Sequence, residues 1–181
     1  MRLRGDKLKK LAESNGVGVD ALAEAVERTG LEGERAKTAV RNWMADRDHP
    51  RCKASDIRRI AETLGCEPTE IVRFTSAVMH HRGGTRKARL VADLIRGRSA
   101  KDANEMLQFS PKRAAVNIRK CLLAAMQEAI DADADEGRLM VVESRVDEGP
   151  HIKRWRPKDR GRAHPILKRT SHITIGLEER G

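Results

Sequence analysis

Apolar positions recur every three or four residues through most of the chain and give way to alternation only in its last third. Leu3, Leu8, Leu11 and Ala12 outline a first helix to about Ser14. Asp20 leads into a second, carrying Ala21, Leu22, Ala25 and Val26, after the turn at Gly16 to Gly18. Ala36, Val40, Trp43 and Met44 share one face of a third, from about Glu34 to Ala45. Ser55 stands where a cap belongs, and Ile57, Ile60, Ala61 and Leu64 behind it follow the i, i+3, i+4, i+7 spacing of a fourth. Pro68 sits where a first helical turn accepts proline and opens a short fifth helix through Ile71 and Val72. The pattern predicts an all-α domain over residues 1–74.

No helical stripe crosses Thr75 to Thr85, which carries His80, His81, Arg82 and the flexible Gly83 and Gly84, so a domain boundary is placed near Phe74 or Thr75. Beyond it, Ala88 to Arg96 reads as a helix with Leu90, Val91, Leu94 and Ile95 inward, stopped by Gly97 in a left-handed position. Ser99 and Asp102 form a capping box for the next helix, through Leu107. Ser110 and Pro111 open a longer one whose inner face is Ile118, Leu122, Ala125, Met126 and Ala129. Lys112, Arg113, Arg119 and Lys120 lie outside, and the helix ends near the acidic run Asp131 to Glu136. Leu139 to Val146 is strand-like, and Ile173, Ile175 and Leu177 alternate with polar or small residues as one half-buried strand does. The second domain, residues 75–181, is therefore expected to be α+β: three helices, a small antiparallel sheet and a long hairpin over about 146–175.

Charge sharpens this picture. The chain carries +10, divided unevenly: +2 over residues 1–75 and +8 over residues 76–181. Such an excess adds long-range attraction for phosphates or for an anionic membrane surface. Its densest part is KRWRPKDRGRAHPILKRT, Lys153 to Thr170, where Lys153, Arg154, Arg156, Lys158, Arg160, Arg162, Lys168 and Arg169 meet a single acid, Asp159. A two-stranded ribbon of this composition repels itself and is marginal in water, so it calls for a polyanion. Arginine forks suit phosphate and lie flat on bases, and Trp155, with no core to receive it, suits stacking on an unpaired base. Pro157 and Gly161 bracket a tight reversal. Folded RNA fits such a finger better than the regular grooves of duplex DNA.

The segments RKARLVADLIRG (Arg86 to Gly97), VDEGP (Val146 to Pro150) and GRA with ILKRTSHITI (Gly161 to Ile175) closely resemble the large-subunit ribosomal protein twenty-two family, in order over roughly residues 76–178. The resemblance implies a globular body on the outside of the large subunit. It also implies a hairpin threading through ribosomal RNA to line the peptide exit tunnel, a role in assembly, and no catalysis. It puts Trp155, Arg156, Pro157, Lys158, Asp159, Arg160 and Gly161 at the tunnel tip, near the nascent peptide, and Lys168, Arg169 and His172 as an RNA clamp at the base. The other RNA-facing candidates are Arg82, Arg86, Lys87, Arg89, Arg96, Lys112, Arg113, Arg119, Lys120, Lys153, Arg154 and Arg162. Gly84 and Thr85 stand where the family usually has Ser-Pro, and Glu128 where it usually has asparagine. Partners implied are large-subunit ribosomal RNA and neighbouring ribosomal proteins.

Residues 1–74 resemble instead the helix-turn-helix domains of phage-repressor type regulators, through ALAEAV, VRNW and IAETLGCEPTEI, with Lys37, Thr38, Arg41 and Asn42 facing outward on the third helix. The competing reading is thus a DNA-binding regulator. Against it stand the long connection ERTGLEGER, the acids Glu32 and Glu34 near the phosphate-facing helix end, and a charge of only +2. A module packing on ribosomal RNA or a neighbouring protein is favoured.

Remaining signals are weak. His49, Cys52, Cys66 and His80 lack metal-ligand spacing, and Asp131, Asp133 and Asp135 begin a calcium-type loop whose glycine comes one place late and whose twelfth position is Val142. No cofactor, metal or homo-oligomer is expected. Three cysteines without a CxxC pair, and no signal-like stretch after Met1, suggest a reduced cytoplasmic setting on the ribosome. No apolar run approaches the roughly 18 residues of a membrane span.

Overall fold

Few aromatics and many alanines mean that elements here must pack closely through small faces. The structure, a computed structural model, describes residues 1–180 and forms two compact units, Met1–Phe74 and the residues from Thr75 onward. In the first, β1 (Arg2–Leu3) precedes α1 (Gly5–Ser14), α2 (Val19–Ala25), α3 (Glu34–Met44) and α4 (Ala54–Leu64), and a 3-10 turn at Pro68–Ile71 leads into β2 (Val72–Arg82). The second continues with α5 (Thr85–Ile95), α6 (Ala100–Gln108), α7 (Arg113–Ile130), a 3-10 turn at Glu136–Arg138, and the strands β3 (Leu139–Pro157) and β4 (Ala163–Glu179). The sheet order is β1-β2-β4-β3. No helix among the described residues is long and apolar enough to cross a membrane.

The first unit is the expected helical one with a strand pair added. Leu3 belongs to that pair, opposite Val72, so α1 begins at Gly5 rather than Leu3. Val72 correspondingly opens β2, and the fifth helix is the single 3-10 turn before it. Leu8, Leu22, Val40, Trp43, Ile57, Ile60 and Ile71 form the core, and the Trp43 indole N–H donates to the Pro50 carbonyl at 2.7 Å. Gly5 is fixed by close approach: a Cβ there would sit 2.5 Å from the Trp43 carbonyl oxygen. Ser55 is not the cap of α4. Lys53 occupies that position, and the buried Asp56 carboxylate accepts its backbone N–H at 3.0 Å and pairs with Arg28 at 3.2 Å.

In the second unit, Thr75 to Arg82 is strand rather than irregular linker. Its polar tail reads as loop in isolation, and the strand forms because β4 offers a bonded neighbour. The face of α5 also differs from expectation. Ala88, Val91, Ala92 and Ile95 are buried, whereas Leu90 and Leu94 are 63% and 45% exposed. Alanines on the inner face let α5 lie against β3 closely enough for the buried Ser144 hydroxyl to donate to the Ala92 carbonyl at 2.9 Å. Ser99 caps α6 through the Asp102 N–H at 3.1 Å, and Gly97 takes φ +76 while its N–H donates to Val141 O. Lys112, not Ser110, precedes the first turn of α7, whose buried face is Ile118, Leu122, Ala125, Met126 and Ala129. On β3 the buried positions run Leu139, Val141, Ser144, Val146. The change of phase is the irregularity between Val141 and Glu143, which adds one residue and returns the strand to the core.

Candidate nucleic-acid interface

The hairpin base is built from the two most distinctive segments of the sequence. VDEGP on β3 pairs antiparallel with RTSHI on β4: Val146 opposite Ile173, Asp147 opposite His172, Glu148 opposite Ser171, Gly149 opposite Thr170. A Cβ on Gly149 would lie 2.6 Å from Thr170 Oγ1 and 3.1 Å from His172 Nε2, so only glycine admits these side chains. Thr170 is buried and donates its hydroxyl to the Pro150 carbonyl at 2.7 Å, across a second register shift between Gly149 and Ile152. His172 accepts the His80 N–H at Nδ1 (3.2 Å) and meets the His80 ring edge-on at 4.8 Å between centroids.

Past this base the ladder continues without cover, and every residue from Lys153 to Arg169 is exposed. Directly paired residues share a face, and faces alternate along each arm. Lys153 with Leu167, Trp155 with Pro165 and Pro157 with Ala163 therefore make one face, apolar but for a single lysine. Ile152 with Lys168, Arg154 with Ile166 and Arg156 with His164 make the other, which carries the cations. The reversal is a type I′ turn: Arg162 N–H donates to Asp159 O at 3.1 Å, and Arg160 and Gly161 take φ +52 and +69. Asp159 forms no ion pair among the described residues, nor do the eight cations of the segment.

The body cations separate into two groups. Arg89 donates to Val146 O (3.1 Å), Arg96 to Ser144 O (2.6 Å) with Asp93 beside it (2.8 Å), and Arg119 to the side-chain oxygens of Asn104 and Gln108. These three hold elements together. Arg82, Arg86, Lys87, Lys168 and Arg169 instead rim a concavity of about 710 Å³ with no carboxylate in its lining, floored by the exposed Leu90. Lys112 and Arg113 border a second concavity, of about 430 Å³, shared with Arg82 and Lys87, and Lys120 is exposed on α7. Sequence reasoning missed His81, Asn117 and Gly83 at this second site. The His81 ring is buried, and its Nδ1 lies 2.6 Å from Asn117 Nδ2; burial first, then the neighbouring Arg113, push its pKa down. Asn117 follows His81 by 36 residues, with no local pattern linking them.

On α3 the expected outward set is largely engaged. Lys37 pairs with Asp20 at 2.8 Å, which raises the lysine pKa and lowers that of the carboxyl. Thr38 donates to Glu34 O and Asn42 to His49 O, both at 2.8 Å. Arg41 is exposed. The long α2–α3 connection is pinned by the Arg28–Leu31 bridge and the Arg28–Asp56 pair.

A bare cation-bearing ladder, a base locked by one glycine and a body rimmed by arginine and lysine that form no ion pair among the described residues make a surface suited to a polyanion. The family model for ribosomal protein L22p/L17e matches residues 77–178, more than half of the chain and nearly all of the second unit. The chain belongs to the ribosomal protein L22p/L17e family and is by that membership a non-enzymatic, RNA-binding constituent of the large ribosomal subunit.

Proposed function

We propose that the hairpin threads through large-subunit ribosomal RNA and lines the peptide exit tunnel with its distal part, Trp155 to Gly161 nearest the nascent peptide, while the body supports subunit assembly. The observation that carries this reading is the uncovered ladder from Lys153 to Arg169, whose cations have no acidic partner among the described residues. Its two faces suit two surroundings: Arg154, Arg156 and Lys168 toward phosphates, and the Trp155 face toward bases or the lumen. Lys168 and Arg169, with Arg82, Arg86 and Lys87, clamp RNA where the hairpin leaves the body, and His172 holds the clamp's geometry through His80. Residues 1–74 form an appended unit that packs on ribosomal RNA or a neighbouring ribosomal protein. The engagement of Lys37, Thr38 and Asn42 within that unit weighs against its reading a major groove.

A photo-crosslinking residue at position 160, in translating particles, tests the tunnel assignment. Adducts with the nascent peptide are expected, and adducts confined to other components overturn it. Sedimentation of a lysate at moderate salt separates the regulator alternative: the chain is expected with large subunits, and its recovery with the nucleoid would favour DNA binding.

A further inference from the structure

The strand β2 has β4 on one side and, on the other, only the two residues of β1, which pair with Val72 and Arg73. From Thr75 onward that outer edge has no strand beside it among the described residues. An open edge presents a row of backbone N–H and C=O groups, and proteins ordinarily guard one with lysine, proline or a bulge. Thr75, Ser76, Ala77, Val78 and Met79 supply neither charge nor proline. Ala77 and Met79 are exposed, Met79 to 60%. The backbone leaves its extended course only at His80, with φ +55. The edge before it is an unguarded ladder.

A second, independent feature adjoins the same strand. The Cys121 thiol donates to the Ser76 carbonyl at 3.0 Å and so holds α7 against β2. Between the two opens a further concavity of about 430 Å³, lined by Thr75 and Ser76 of the strand and by Ala124, Gln127, Glu128 and Asp131 at the end of α7. Its charge is the reverse of that of the two concavities described above. They are rimmed by arginine and lysine with no carboxylate, whereas this one carries two carboxylates and no cation. A phosphate backbone meets repulsion there, and RNA has no peptide groups with which to extend the ladder. An extended chain bearing lysine or arginine meets both requirements: its backbone completes the row of hydrogen bonds, and its cations face Glu128 and Asp131.

We propose that the outer edge of β2 over residues 75–79, with the acidic concavity beside it, is a docking site for an extended basic segment of another protein, added to the sheet as a further strand. The partner's main chain pairs with β2, its alternate side chains lie on the Ala77 and Met79 face, and a lysine or arginine near Thr75 and Ser76 enters the concavity. The site goes beyond RNA binding and the tunnel assignment and is read on the free chain, so its success or failure is independent of where the hairpin tip lies.

A fluorescein-labelled peptide of alternating lysine and valine, added to the full chain, tests it by anisotropy and by backbone hydrogen exchange read by mass spectrometry. Saturable binding is expected, with slowed exchange over residues 75–79. N-methylation at every peptide residue, which removes the donors, is expected to weaken binding by roughly tenfold or more, and the glutamate-valine counterpart is expected not to bind. Asp131→Asn, at an exposed position, is expected to weaken binding by about threefold, whereas Glu105→Gln, at an exposed acid outside the site, leaves it unchanged. No slowed exchange over residues 75–79, equal binding of the N-methylated or the acidic peptide, or equal weakening by the two substitutions overturns the proposal. So does slowed exchange there with a short oligouridylate, which assigns the edge to RNA, or with rising protein concentration alone, which assigns it to a second copy.

Discussion

Single residues decide whether the hairpin base closes. Gly149 has no alternative, because a side chain there would run into Thr170 Oγ1 at 2.6 Å and the Thr170 carbonyl carbon at 3.3 Å. Gly149→Ala is expected to destabilise the protein by about 2 kcal/mol, within the overpacking range, measured by urea unfolding. At His81 the sign of the pH effect follows from its lowered pKa. The fold favours the neutral ring, so stability is full above the ordinary histidine value of about 6.5, falls as pH drops below it, and levels off under the folded value. His81→Gln is expected to remove this part of the pH dependence in urea midpoints taken between pH 7.5 and 5.5. Much of the residue scale was legible beforehand. The hairpin cations, the Ser99 cap and the left-handed Gly97 could be named from type and spacing. The His81–Asn117 pair could not, since it joins a strand end to a helix 36 residues away.

Elements were legible wherever local pattern and capping agreed, as along α6 with its Ser99 cap, and misread where a neighbour supplied what the local sequence lacked. The strand β2 is such a case: histidines and a following glycine pair suggest a loop until β4 is in place beside it. The inward face of α5 is another, because hydrophobicity favours Leu90 and Leu94 while close packing against β3 selects Ala88 and Ala92. The start of α4 yields a direct check. Asp56, fully buried, serves both the Lys53 N–H and Arg28. Asp56→Ala is expected to cost about 3 kcal/mol, because it leaves a largely covered guanidinium unpaired, whereas Ser55→Ala is expected to stay within about 0.5 kcal/mol. Denaturant titration of the two variants distinguishes the cap found in the structure from the one the sequence suggests.

For the whole molecule the governing quantity is how charge is placed. The first unit is nearly balanced in charge and pairs cations locally at Lys37 with Asp20 and Arg28 with Asp56, while the second leaves a ladder and two concavities without a lining carboxylate. Affinity for RNA should therefore fall steeply with salt, by about 0.7 logarithmic units per tenfold change for each phosphate contact on single strands. Replacing Lys153, Arg154, Arg156 and Lys158 together by serine is expected to make the slope shallower by roughly 3, read from binding isotherms at several salt concentrations. The α+β class, the helical first unit and the hairpin were all visible in the sequence, since periodicity and charge report them directly. The division of the hairpin into unlike sides was not, because it depends on which residues meet across the ladder. That division restricts how the finger can change length. Deleting one residue from a single arm would turn over every side chain beyond the cut, exchanging tryptophan for arginine on each surface. Changes of two residues in both arms would leave the orientation intact, whereas a matched single change would keep the sides distinct but exchange them relative to the body, so this projection can lengthen or shorten only in steps of two per arm without turning its sides over.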